Sequence, residues 1–89
     1  MKFNVKIDNK YLLTYVFNKF TGIIKIYIDN RLMKRDMEVM YADIVKSWTI
    51  RINNDEIVIR RKRPLLLAFL RESKYDIIYN GNVIKTLNK

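Results

Sequence analysis

Cysteine and histidine are both missing from these 89 residues. Their absence removes disulfides, thiolate and imidazole metal sites, and any Ser-His or Cys-His nucleophile. Glycine occurs twice and proline once. Gly22 and Gly81 stand too far apart to build a loop that cradles phosphate. Carboxylates are few, nine against eighteen basic residues; a pair could in principle serve as general acid and base, but they fall largely at turns or beside basic residues. Asp8, Asp29 and Asp55 read as turn formers. Long apolar runs are absent too. The longest, residues 65–70, ends at Arg71 and falls well short of the roughly eighteen residues of a membrane span. The start, Met1-Lys2-Phe3-Asn4-Val5, alternates apolar with polar and lacks the apolar run of a signal peptide. The expectation is a soluble, cytoplasmic, non-enzymatic protein with no cofactor, no metal and no membrane association.

What is present is a folding composition. The chain is 49% hydrophobic, an ordinary globular share, and its length allows one domain spanning 1–89 with a modest core. The formal net charge is +9. A surface of that sign attracts phosphate or other anions, although a background bias toward Lys, Asn and Ile produces the same sum.

Apolar residues recur at every second position between short turn signals, the pattern of an antiparallel β protein. Phe3, Val5 and Ile7 alternate with Lys2, Asn4 and Lys6. Asp8-Asn9-Lys10 turns the chain into 11–18, apolar on both faces and suited to an interior strand. After the turn at Lys19-Phe20-Thr21-Gly22, Ile24, Ile26 and Ile28 alternate with Lys25 and Tyr27. Asp29-Asn30 makes a two-residue tip into Arg31-Leu32-Met33-Lys34. Strands are expected at 3–7, 11–18, 23–28, 47–52, 56–61, 75–79 and 82–87, with hairpin turns at Asn53-Asn54-Asp55 and at Asn80-Gly81. Residues 36–45 suit either a strand or a helical stripe and lean to extended structure. Pro64 opens either a helix with 65–73 as its body or a buried strand over 65–69, the strand being favoured. No linker or repeat is evident. The fold class expected is all-β, a small antiparallel β-sandwich of about seven or eight strands joined by tight hairpins.

Two candidate surfaces emerge for binding an anion or a partner. Arg60-Arg61-Lys62-Arg63 is the densest charge run, able in principle to pair with phosphates or an acidic peptide. In an alternating strand, adjacent cations point to opposite faces, and a solvated, aggregation-resistant strand end is the plainer reading. Lys25 and Tyr27 form the second candidate, because Tyr27 falls on the polar phase between Ile26 and Ile28 beside a lysine. Tyr15, Phe17 and Trp48 fall on apolar faces and read as core.

The segment Tyr15-Val16-Phe17-Asn18-Lys19-Phe20-Thr21-Gly22-Ile23-Ile24-Lys25-Ile26-Tyr27-Ile28-Asp29-Asn30 resembles the strand, glycine turn, strand and Asp-Gly hairpin of the Fas apoptosis inhibitory molecule family. Tyr75-Asp76-Ile77-Ile78-Tyr79-Asn80-Gly81-Asn82-Val83-Ile84-Lys85 is similar to that family's terminal hairpin, which also turns at Asn-Gly. Asn30 stands where the family usually has glycine. The resemblance implies a compact antiparallel β-sandwich that acts through protein partners, with no catalytic residues to carry over. A non-catalytic protein-interaction module is therefore the leading expectation, its partner unidentified. A basic nucleic-acid-binding β domain is the alternative.

Overall fold

A computed structural model describes residues 1–38, 45–63 and 72–89. These residues form eight antiparallel strands in two four-stranded sheets, with no helix among the described residues. The all-β expectation holds, and two such sheets are the components that a small sandwich requires. The chain divides into two compact units, Met1–Tyr41 and Ala42–Lys89, each holding one sheet.

In the first unit the strands are β1 (Lys2–Ile7), β2 (Tyr11–Phe17), β3 (Ile23–Ile28) and β4 (Arg31–Met37), paired in chain order. Alternation fixes the faces, since successive side chains point to opposite sides. Phe3, Val5, Ile7, Tyr11, Leu13, Tyr15, Phe17, Ile24, Ile26 and Ile28 are buried and share one face. Phe3 lies directly opposite Tyr15 with the rings stacked, centroids 4.9 Å apart. The β1–β2 pairing continues past the strand ends through a pair of bonds between Met1 and Phe17.

In the second unit β5 (Val45–Ile52), β6 (Asp55–Lys62), β7 (Lys74–Tyr79) and β8 (Asn82–Asn88) also pair in chain order. Trp48, Ile50, Ile57, Ile59, Tyr75 and Ile77 form its buried face. The uncertain stretch 36–45 contributes Asp36 and Met37 to β4 and Val45 to β5. Its remaining centre, 39–44, lies outside the described residues, as does most of the helix-or-strand choice over 64–73.

The structure corrects the expectation of no repeat: the two sheets are built alike, strand for strand. Phe3, Tyr15, Ile26 and Lys34 stand in one cross-strand row of the first sheet, and Trp48, Ile59, Ile77 and Lys85 stand in the matching row of the second. Both final hairpins carry a one-residue bulge just after the turn, leaving Met33 and Ile84 as the extra residues. All four tight turns use two adjacent residues at positive φ: Asp8-Asn9, Asp29-Asn30, Asn53-Asn54 and Asn80-Gly81. Seven of those eight residues are Asp or Asn, the non-glycine types that tolerate this region best.

A clamp is repeated as well. The Asp29 backbone amide donates to the Leu12 carbonyl, and the Leu12 amide donates back to Asp29 Oδ1, both at 2.9 Å. Asn80 does the same with Glu56, with both bonds at 2.8 Å. In each sheet the tip of the last hairpin is thus tied to the start of the second strand. The sequence similarity behind this equivalence is spread thinly over alternating apolar positions, and the loops differ in length. That is why the repeat escapes a linear reading.

Candidate anion-binding face

The face of the first sheet opposite its buried side presents three rows that include charged or hydrogen-bonding side chains, in addition to an apolar pair, Ile23 and Met37, at the end nearest the β2–β3 turn. Lys2, Val16, Lys25 and Arg35 lie side by side across β1 to β4, followed by Asn4, Thr14, Tyr27 and Leu32, and then by Lys6 and Leu12. Neighbouring strands are about 4.8 Å apart, so the first row sets three cations within about 15 Å around one valine. Lys2, Lys6 and Arg35 are exposed, and Lys25 and Tyr27 are half-buried. Among the described residues no ion pair engages Lys2, Lys6, Lys25 or Arg35.

No carboxylate of β1 to β4 points to this face. Asp36 pairs with Ile24 and so lies on the buried side, where its Oδ1 accepts the Met37 amide at 2.8 Å. Asp8 and Asp29 sit in turns, at the end of the sheet away from the Lys2 row, and Asp29 is held by the Leu12 amide. Glu38, beyond the end of β4, is buried and engaged. Lys25 and Arg35 therefore stand directly opposite one another as like charges, an arrangement that costs a few tenths to about 1 kcal/mol in a sheet.

On the equivalent face of the second sheet the matching row contains its own counter-charge, while the adjacent row sets Lys62 directly opposite Lys74. The matching row reads Ser47, Arg60, Asp76 and Thr86. Arg60 Nη2 bonds Asp76 Oδ2 at 2.8 Å, and the Thr86 hydroxyl donates to Asp76 Oδ1 at 2.8 Å. These bonds, that from Arg60 foremost, hold the Asp76 carboxyl below its ordinary range against the opposing effect of burial. Nearby, Arg51 pairs with Glu56 at 3.4 Å, both largely in solvent.

The charge run at 60–63 does not form one surface. Arg60 is tied to Asp76, and Lys62 is exposed on the same face, beside Lys74. Arg61 and Arg63 are turned inward, only 1% and 6% exposed. Arg61 takes the place that Phe17 holds in the first sheet, between Lys46 and Tyr75, and its guanidinium lies 5.4 Å from the Trp48 ring centroid. The Lys46 ammonium approaches the same ring at 5.8 Å. A flat, weakly hydrated guanidinium can stack on an indole, so arginine substitutes there for an aromatic core residue.

Of the residues singled out in the sequence, the fold brings Lys25 and Tyr27 together on one open face and disperses Arg60, Arg61, Lys62 and Arg63. It also adds Lys2, Lys6 and Arg35, which linear reading missed because only the pairing register sets them beside Lys25. Phe20 was missed too. It stands fully exposed at the tip of the turn joining β2 to β3. That turn is ordered: Asn18 Oδ1 accepts the Phe20 and Thr21 amides at 3.0 and 3.3 Å, and the Gly22 amide closes onto the Asn18 carbonyl at 2.8 Å. No group of three or more acidic, histidine or cysteine side chains that could hold a metal occurs among the described residues. No family model matches the chain, and neither a curated protein nor a solved structure matches it.

Proposed function

We propose that this protein is a non-catalytic binding module that docks an anionic partner on the open face of β1 to β4. The observation that carries this reading is the carboxylate-free cluster of Lys2, Lys6, Lys25 and Arg35, set against an equivalent face on which Arg60 is answered by Asp76 and Arg51 by Glu56. A docked anion would relieve the repulsion between Lys25 and Arg35 and would be steered in by the local field. The missing histidine and cysteine, together with carboxylates committed to turns and ion pairs, support the non-catalytic half of the proposal.

The face is a better docking surface than the sheet edge. Strand β4 carries a bulge and exposed Arg31, Lys34 and Arg35, devices that discourage strand addition.

The test compares two triple variants that remove equal charge. Lys2→Gln, Lys25→Gln and Arg35→Gln together should weaken binding of a fluorescent polyanion at least ten-fold. Lys62→Gln, Lys74→Gln and Lys85→Gln, taken from exposed positions of the second sheet, should weaken it less than about three-fold. Equal losses in the two would show that net charge alone is responsible and overturn the proposal.

A further inference from the structure

We infer that the anionic partner is single-stranded nucleic acid, with bases stacking on Tyr27 and Phe20 while the cations between them hold the phosphates. The inference rests on the docking face proposed above and goes beyond it by naming the chemistry of the ligand.

Charge alone does not select a nucleic acid. What points to one is an aromatic beside a cation on the open face of β3, with a second aromatic in the turn before it. The open face of β3 reads Ile23, Lys25 and Tyr27, and Phe20 is fully exposed at the tip of the preceding turn. Tyr27 lies one level beyond the Lys2, Lys25 and Arg35 row, and Phe20 belongs to the turn that precedes the other end of β3. Among the described residues, no hydrogen bond occupies the Tyr27 phenol. It stands between Thr14 and Leu32 on the neighbouring strands, and the Thr14 hydroxyl donates instead to Asn4 at 2.8 Å.

Phe20 has no structural use that its exposure would allow. The backbone of that turn is held by bonds to Asn18, which limits the chain ordering needed when a flat partner covers the ring. Aromatic rings displayed among cations on an open antiparallel sheet are the arrangement on which unstacked bases lie. A duplex hides its base faces and would leave the rings without a stacking partner. An acidic peptide would use the cations and leave both rings idle.

The experiment measures fluorescence anisotropy of a labelled oligothymidylate of about 12 nucleotides, an abasic oligomer of the same length, a duplex and polyglutamate. All are titrated with the full chain at about 0.15 M salt. Oligothymidylate should bind at least ten-fold more tightly than the abasic oligomer, the duplex or polyglutamate. Tyr27→Leu and Phe20→Ser should each weaken oligothymidylate by roughly five- to a hundred-fold, the range for loss of one base stack, without weakening the abasic oligomer. Tyr27→Phe should retain binding. Neutralising Lys2, Lys25 and Arg35 should flatten the logarithmic salt slope by about two, at roughly 0.7 per phosphate contact on a single strand.

Equal affinity for oligothymidylate and the abasic oligomer, or tighter binding of duplex or polyglutamate, would overturn the inference and leave the docking face standing. Failure of all four probes to bind, or indifference to the triple neutralisation, would overturn the docking face itself. Thermal melts of each variant within a few degrees of the parent keep these outcomes separate from unfolding.

Discussion

Replacing Asp29 isolates how much of the fold is written in its turns. Asp29 sits at φ 51° and its Oδ1 accepts the Leu12 amide at 2.9 Å across seventeen residues of chain. Alanine loses the bond and must also hold left-handed backbone. The bond is in an exposed setting and is worth about 1 kcal/mol, and the backbone term adds roughly 1–2 kcal/mol. Asp29→Ala should therefore cost about 2–3 kcal/mol, or a fall of 10 °C or more in Tm for a chain of this size. Glycine takes the backbone without strain but loses the bond, so Asp29→Gly should cost about 1 kcal/mol. Asparagine keeps both features and should cost under about 0.5 kcal/mol, as its use at the matching Asn80 indicates. Urea unfolding followed by far-ultraviolet circular dichroism provides the ranking. Equal losses for alanine, glycine and asparagine, or glycine worse than alanine, would refute the reasoning.

Trp48 is 2% exposed; native-state acrylamide quenching should be weak, and Trp48→Ala should cost about 3–5 kcal/mol. Gly22→Ala should cost more than Gly81→Ala. Both are at positive φ, but a Cβ at Gly22 would collide with the Glu38 carbonyl, whereas at Gly81 it meets open space; thermal melts of the two variants decide it. Asp76 contributes a carboxyl whose folded pKa is lowered by Arg60 and Thr86. Its stabilisation is therefore complete above the unfolded value near pH 4 and fades as pH falls through the lower folded value. The stability gap between wild type and Asp76→Asn should be full at pH 7 and close in strong acid, and a gap that persists unchanged there would exclude this linkage. If 1–89 folds as one cooperative domain, Trp48 fluorescence and circular dichroism should report coincident unfolding transitions.

The strands were legible because alternation and Asx turns act locally. The expected strand at 23–28 matches β3 (Ile23–Ile28), the other six expected strands differ by one or two residues at their ends, and β4, expected only as a hairpin return over 31–34, runs on to Met37. β2 was recognisable as interior because Leu12, Thr14 and Val16 are too apolar or too short for a solvated face. The bulges at Met33 and Ile84 were not legible. Nothing local distinguishes Leu32-Met33-Lys34 from an uninterrupted strand, and the bulge moves Lys34 onto the side of Ile26. For the same reason the charged face was only half visible. The alternation identifies Lys25 and Tyr27 as outward, but Lys2 and Arg35 join them through pairings made across the sheet.

The two units sharpen the meaning of the net charge. Met1–Tyr41 carries eight basic and four acidic residues, and Ala42–Lys89 carries ten and five, so both have nearly the same excess. A uniform bias toward lysine would leave their open faces alike. Instead, where the second sheet joins Arg60, Asp76 and Thr86 in one bonded row, the first places Val16, Lys25 and Arg35 with no counter-charge. The second sheet's surplus is partly withdrawn, with Arg61 packed on Trp48 and Arg63 turned inward. The same scaffold thus answers Arg60 and Arg51 with carboxylates on one open face, beside a like-charged Lys62–Lys74 pair, and supplies no carboxylate on the other. The face to mutate is therefore the one with fewer arginines in its sequence but no acid to answer them.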